Sequence, residues 1–100
     1  MGNENNRAIV CVVSVELLIP MSHSLKDKRK QVKSLKDRIR NRFNASVAEI
    51  EFLDDWQRST LGVSMISNNK AYLEKQYHAI ENLVMENRET ELLKVDIEWL

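Results

Sequence analysis

From Ile9 to Ile19 every second residue is apolar: Ile9, Cys11, Val13, Val15, Leu17 and Ile19. The residues between them and just before, Ala8, Val10, Val12, Ser14, Glu16 and Leu18, are mixed in character. Side chains of a strand alternate between its two faces. The stretch therefore reads as a central strand with one fully buried face and one partly polar face. Pro20 ends it, having no N–H to give to a sheet ladder. A chain built around such a strand needs further strands on both sides and a layer to cover its apolar face.

The rest of the sequence supplies them. Ser24 followed by Asp27 resembles a helix-capping box, and Leu25, Val32, Leu35, Ile39 and Phe43 then recur at helical spacing through about five turns. A second strand is predicted over Ser46–Leu53, where Ala48, Ile50 and Phe52 alternate against Val47, Glu49 and Glu51. After a short connection through Asp54, Asp55, Trp56 and Gln57, a third strand runs from Arg58 to Ser67. It has Leu61, Val63 and Met65 on one face and Thr60, Gly62, Ser64 and Ile66 on the other. Ser67-Asn68-Asn69 offers N-cap chemistry for a second helix to about Glu86, with Leu73, Tyr77, Ile80 and Val84 as its stripe. Leu92–Leu100 closes the series as a strand in which Leu93, Val95, Ile97 and Trp99 face the core.

The order is β-α-β-β-α-β. Each strand has only one strongly apolar face, so both helices belong on the same side of the sheet. The predicted fold is an α+β, ferredoxin-like two-layer sandwich: two helices on one face of a four-stranded antiparallel sheet. At 100 residues there is room for one such domain, expected over 7–100, preceded by a disordered tail at 1–6.

Charge is where the chain departs from the ordinary. Fifteen basic and fifteen acidic side chains cancel. Between Ser24 and Phe43, however, nine Lys or Arg stand against two Asp, leaving the remaining residues net acidic by the same margin. Steps of 100° along the first helix place Lys26, Arg29, Lys30, Lys33, Lys36 and Arg40 on one flank, about 21 Å long, interrupted by Asp37. Like charges at these spacings weaken a helix slightly, so the arrangement is not one that local stability selects. Either the flank is a solvated face, or it meets an anion such as an RNA backbone or an acidic protein surface.

Several strings are distinctive together: His23-Ser24-Leu25-Lys26-Asp27-Lys28-Arg29; Arg38-Ile39-Arg40-Asn41-Arg42-Phe43-Asn44-Ala45-Ser46-Val47-Ala48-Glu49; Trp56-Gln57-Arg58; and Gly62-Val63-Ser64 with Ser67-Asn68. With them the chain resembles, from about Ala8 to Leu100, the YlxP-like family of uncharacterised bacterial proteins, domain-of-unknown-function family 503. The resemblance implies a ferredoxin-like fold. Members are typically encoded beside genes of transcription, translation initiation and ribosome maturation, which implies a link to RNA metabolism. It brings no catalytic residues, because the family has no established reaction.

The open face of the sheet bears on how RNA would be held. Ferredoxin-like RNA binders stack bases on aromatic residues of the two central strands. Here those positions are Val10, Val12, Ser14 and Glu16, then Thr60, Gly62, Ser64 and Ile66, none of them aromatic. The flanking strands are expected to add Glu49, Glu51, Asp96 and Glu98. RNA is therefore expected on the helical side, through phosphates. The centre of the open face, with Val10, Val12 and Ile66 and with Val47 and Leu18 as expected neighbours, is apolar enough to suggest a homo-oligomer formed by sheet packing or edge pairing. Trp56 and Arg58 are further interface candidates, since Trp and Arg are enriched at binding hot spots.

Other chemistry finds little support. His23 beside Ser22 and Ser24 is a neighbourhood in sequence and not a nucleophile with its base, so a small-ligand or enzymatic cleft there needs a pocket with converging polar groups. No His, Cys or carboxylate cluster has metal-ligand spacing, and no cofactor is indicated. The lone Cys11 has no disulfide partner within the chain. There is no apolar run long enough to span a bilayer and no basic leader, which points to the cytoplasm. The expectation is a non-enzymatic binding module that engages RNA or the ribosome through its first helix. The alternative is a self-assembling or protein-interaction domain whose helix docks acidic protein surfaces.

Overall fold

A computed structural model describes residues 7–100, and the tail expected at 1–6 lies outside the described residues. Six elements follow one another: β1 (Ile9–Leu18), α1 (Leu25–Arg42), β2 (Ser46–Glu51), β3 (Arg58–Ser67), α2 (Lys70–Glu86) and β4 (Glu91–Trp99). The alternation that opens the sequence is obeyed throughout β1. Cys11, Val13, Val15 and Leu17 are buried, and the residues between them are half-buried on the other face.

The sheet order is β2-β3-β1-β4, antiparallel throughout, so the predicted two-layer α+β sandwich is the observed one. Val13 lies opposite Val63 of β3 and Ile97 of β4, which puts β1 at the centre. Val32, Leu35 and Ile39 of α1 and Leu73, Ile80, Leu83 and Val84 of α2 complete a continuous core over this face. Cys11 lies within it, and burial pushes its thiol above the ordinary value.

The helix starts follow their caps. Ser24 Oγ accepts the Asp27 N–H at 3.0 Å, while Asp27 Oδ2 accepts the His23 N–H at 3.0 Å, a reciprocal arrangement that begins α1. Asn69 Oδ1 accepts the Tyr72 N–H at 3.1 Å and begins α2.

Two strands depart from simple alternation, and both corrections have the same cause. The β2–β3 register shifts between Glu49 and Glu51, and the β1–β4 register shifts opposite Glu16 and Leu17. Each added residue reverses the faces of the side chains on its two sides relative to one another. Val47, expected on the open face, is therefore core, and Glu49 points into the helix layer toward Lys28. Ile50 lies instead over the open face, with its side chain 3.3 Å from the Cβ position at Gly62. In β4, Leu92 packs against the core while Leu93, expected inward, is exposed.

Candidate functional site

α1 lies along the edge strand β2. Between them runs a groove of about 380 Å³ lined by Arg29, Val32, Lys33, Lys36, Asp37, Arg40 and Glu49. Four of the six cations predicted for one flank thus converge on one groove, in a row about 16 Å long at the rise of a helix. Lys30 does not join them. It lines a smaller depression on the other side of α1, of about 180 Å³, with Ser22, Asp27, Gln31 and Glu89. Lys26 is exposed on the first turn.

The groove cations are not equally free. Lys33 Nζ bonds Asp37 Oδ2 at 2.8 Å, and Asp37 also approaches Arg40 at 3.5 Å. The Lys33 ammonium hydrogen-bonded to Asp37, helped by the charges of Lys33, Arg40 and Lys36, holds that carboxyl below its ordinary value. Asp37 is therefore ionised at neutral pH and offsets one positive charge in the middle of the row. Arg40 reaches across the groove and gives a hydrogen bond to the Val47 carbonyl of the edge strand at 3.0 Å. Arg29 and Lys36 carry the charge that an incoming anion would meet first, and Lys33 adds to it by exchanging Asp37 for the anion.

Lys28, one residue before Arg29, behaves quite differently. Its side chain is fully buried, and Nζ sits 2.8 Å from Glu49 Oε2. It donates to the carbonyls of Phe52 at 2.7 Å, Leu53 at 3.4 Å and Arg58 at 3.2 Å. Glu49 in turn accepts the buried Ser59 hydroxyl at 2.7 Å. This ammonium ties both ends of the β2–β3 connection to the start of α1. Its signal in the sequence is a lysine within the apolar stripe, three residues after Leu25 and four before Val32.

The connection itself is closely bonded. Phe52, at φ 63°, is the one non-glycine residue with positive φ among the described residues. Its carbonyl also accepts the Asp55 N–H at 3.0 Å. Asp55 Oδ1 accepts the Gln57 N–H at 2.9 Å, and the Gln57 carbonyl accepts the Ile19 N–H at 2.7 Å. Gln57 Nε2 donates to the carbonyls of Pro20 at 3.2 Å and Ser22 at 3.0 Å. Trp56 projects from this framework and is 55% exposed. Arg58 turns to the open face, where it pairs with Glu16 and lies 4.4 Å from the centre of the Phe52 ring.

On the open face, Val10 and Val12 are half-buried, while Ile66 and Ile50 are 57% and 49% exposed. The expected acids Glu51, Asp96 and Glu98 lie there, and Lys94 pairs with Asp96 at 3.5 Å. His23 and Ser24 do not line the neighbouring depression, and the Ser24 hydroxyl is engaged in capping. Among the described residues no three His, Cys, Asp or Glu side chains converge to hold a metal ion, and no helix is long and apolar enough to cross a membrane.

Fold and groove together define a small α+β sandwich with a cation-lined groove along one sheet edge. The chain matches, over residues 10–97, the family described as "Protein of unknown function (DUF503)", and it belongs to that family. It is 32% identical over 84 residues to a Bacillus subtilis (strain 168) protein named "Uncharacterized protein YlxP", a match covering 84% of this chain and 91% of the relative. Among solved structures, "De novo designed protein Foldit4" superimposes with a TM-score of 0.52 at 11% identity, covering 94% of this chain and 97% of the other. At that identity the likeness is one of fold alone.

Proposed function

We propose that the protein is a non-enzymatic binding module that holds RNA by its phosphates along the groove between α1 and β2. The observation that carries this reading is the convergence of Arg29, Lys33, Lys36 and Arg40 on one groove in a chain whose charges cancel overall. Cations in a row neutralise successive phosphates and release their counterions, which gives affinity without sequence preference. The link to RNA metabolism implied by the family resemblance fits the same reading.

The test is RNA affinity across a salt series. Changing Arg29, Lys33 and Lys36 to Gln together should weaken binding and flatten the slope of log affinity against log salt by about 2, at about 0.7 for each phosphate of a single strand that is no longer neutralised. Asp37→Asn should have the opposite sign, since it frees Lys33 and removes a repelling carboxylate. Affinities that do not move in either variant would exclude the groove as the RNA site.

A second reading, self-association through the open sheet face, is favoured by the exposure of Ile66 opposite Val10 and of Ile50 over Gly62. On that reading sedimentation gives an oligomer, and Ile66→Lys converts it to a monomer by placing an ammonium in the apolar contact. A parent chain that sediments as a monomer at high concentration removes it. The alternative in which α1 docks an acidic protein surface predicts salt-sensitive association with no RNA affinity.

A further inference from the structure

The geometry points to Trp56 as a stacking platform for one unpaired base at the end of the phosphate-binding row, making the preferred ligand single-stranded RNA or a loop in place of a continuous duplex. This inference rests on the proposed RNA reading and adds to it the class of RNA.

An exposed indole on a mobile loop would say little. Here the residues on both sides of Trp56 are held: Asp55 through its N–H and carboxylate, Gln57 through its backbone and its side-chain amide. Beyond them, the carbonyls of Phe52, Leu53 and Arg58 all accept from the buried Lys28 ammonium. The ring is presented on a backbone whose conformation is already fixed, so ordering it on binding carries little entropic cost.

Its location supports the same conclusion. Lys28 precedes Arg29, the first cation of the groove, and its partner Glu49 lines that groove. The connection that bears Trp56 therefore abuts the N-terminal end of the cation row. A cationic track ending at an exposed aromatic is the arrangement that single-stranded binders use, with phosphates on the track and a base on the ring. Asp54 and Asp55 precede the ring in the chain and repel phosphate, which favours a base over backbone at this position. A carboxylate accepts from an exocyclic amino group, as on cytosine, so oligocytidylate is a suitable probe.

The experiment compares oligocytidylate with an RNA duplex for the parent chain, Trp56→Ala, Trp56→Phe and the Arg29, Lys33 and Lys36 to Gln variant. Trp56→Ala should bind oligocytidylate about tenfold more weakly, with an unchanged salt slope and unchanged duplex binding, while Trp56→Phe keeps most of the affinity. Oligocytidylate should quench the parent's tryptophan emission, and the quenching should disappear in Trp56→Phe, where only Trp99 remains. If Trp56→Ala binds oligocytidylate as tightly as the parent while the Gln variant binds weakly, stacking is overturned and the phosphate reading stands. If neither variant changes affinity, both fall together.

Discussion

Replacing Lys28 with Met should lower stability by about 3–5 kcal/mol, read from chemical denaturation, a large share of what a domain of this size possesses. The cost has two parts. Glu49 is left as a half-buried carboxylate without its counter-charge, and the carbonyls of Leu53 and Arg58 lose the donor that reaches them. Lys28→Arg is not conservative here. A planar fork cannot place one compact charge among three carbonyls and a carboxylate, and it needs more room than a fully buried site provides. Adding Glu49→Met to Lys28→Met should return part of the loss, because removing both charges is less harmful than removing one. A double variant no more stable than the single one would show that the ion pair is not the source of the effect.

The second large effect is expected at Ile39, which is fully buried on the core side of α1. Ile39→Ala should destabilise the fold by about 2–5 kcal/mol through lost burial and the cavity left behind, lowering the melting temperature by roughly 4–8 °C for each kcal/mol. Ile39 and Arg40 are neighbours in the chain, yet Ile39 faces the core and Arg40 the groove. At temperatures where the variant remains folded, RNA affinity should match that of the parent. Equal loss of stability and affinity would mean that the groove depends on the core more closely than these positions suggest.

The architecture is legible in the sequence because burial enforces alternation. Nearly every residue of β1 and β3 has to obey period two, and the predicted third strand has the bounds of β3. The two irregularities in the edge strands are not legible. Parity is a counting rule, and one unpaired residue at Glu49–Glu51 or at Leu93 resets the count without any distinctive residue to announce it. Counting back from Glu51 across that step puts Glu49 and Val47 on the open face, whereas both lie under α1.

The charged helix is legible as a sum and only partly as an arrangement. The 100° steps bring Arg29, Lys33, Lys36 and Arg40 together as observed, whereas Lys30, further round the helix, faces the other side. Lys28 is the structural tie that the pattern hides. A lysine is ordinarily solvated, so the gap it fills between Leu25 and Val32 reads as an interruption of the stripe. Positions 25, 28, 32, 35 and 39 in fact follow the three-four spacing of a core-facing helix. An ammonium there signals that carbonyls and a carboxylate must meet it from elsewhere in the chain.

That buried ammonium also shapes how the chain acquires its structure. Its carbonyl partners lie 24 to 30 residues away in sequence and belong to a connection that is not itself a strand or helix, or to its junction with β3. Until β2 and β3 have paired and closed that connection, Lys28 has nothing to replace its water. A half-docked α1 would therefore strand a dehydrated charge and gain little for it. The helix, the connection and the edge strand are therefore expected to come together cooperatively, with partly assembled forms sparsely populated at equilibrium.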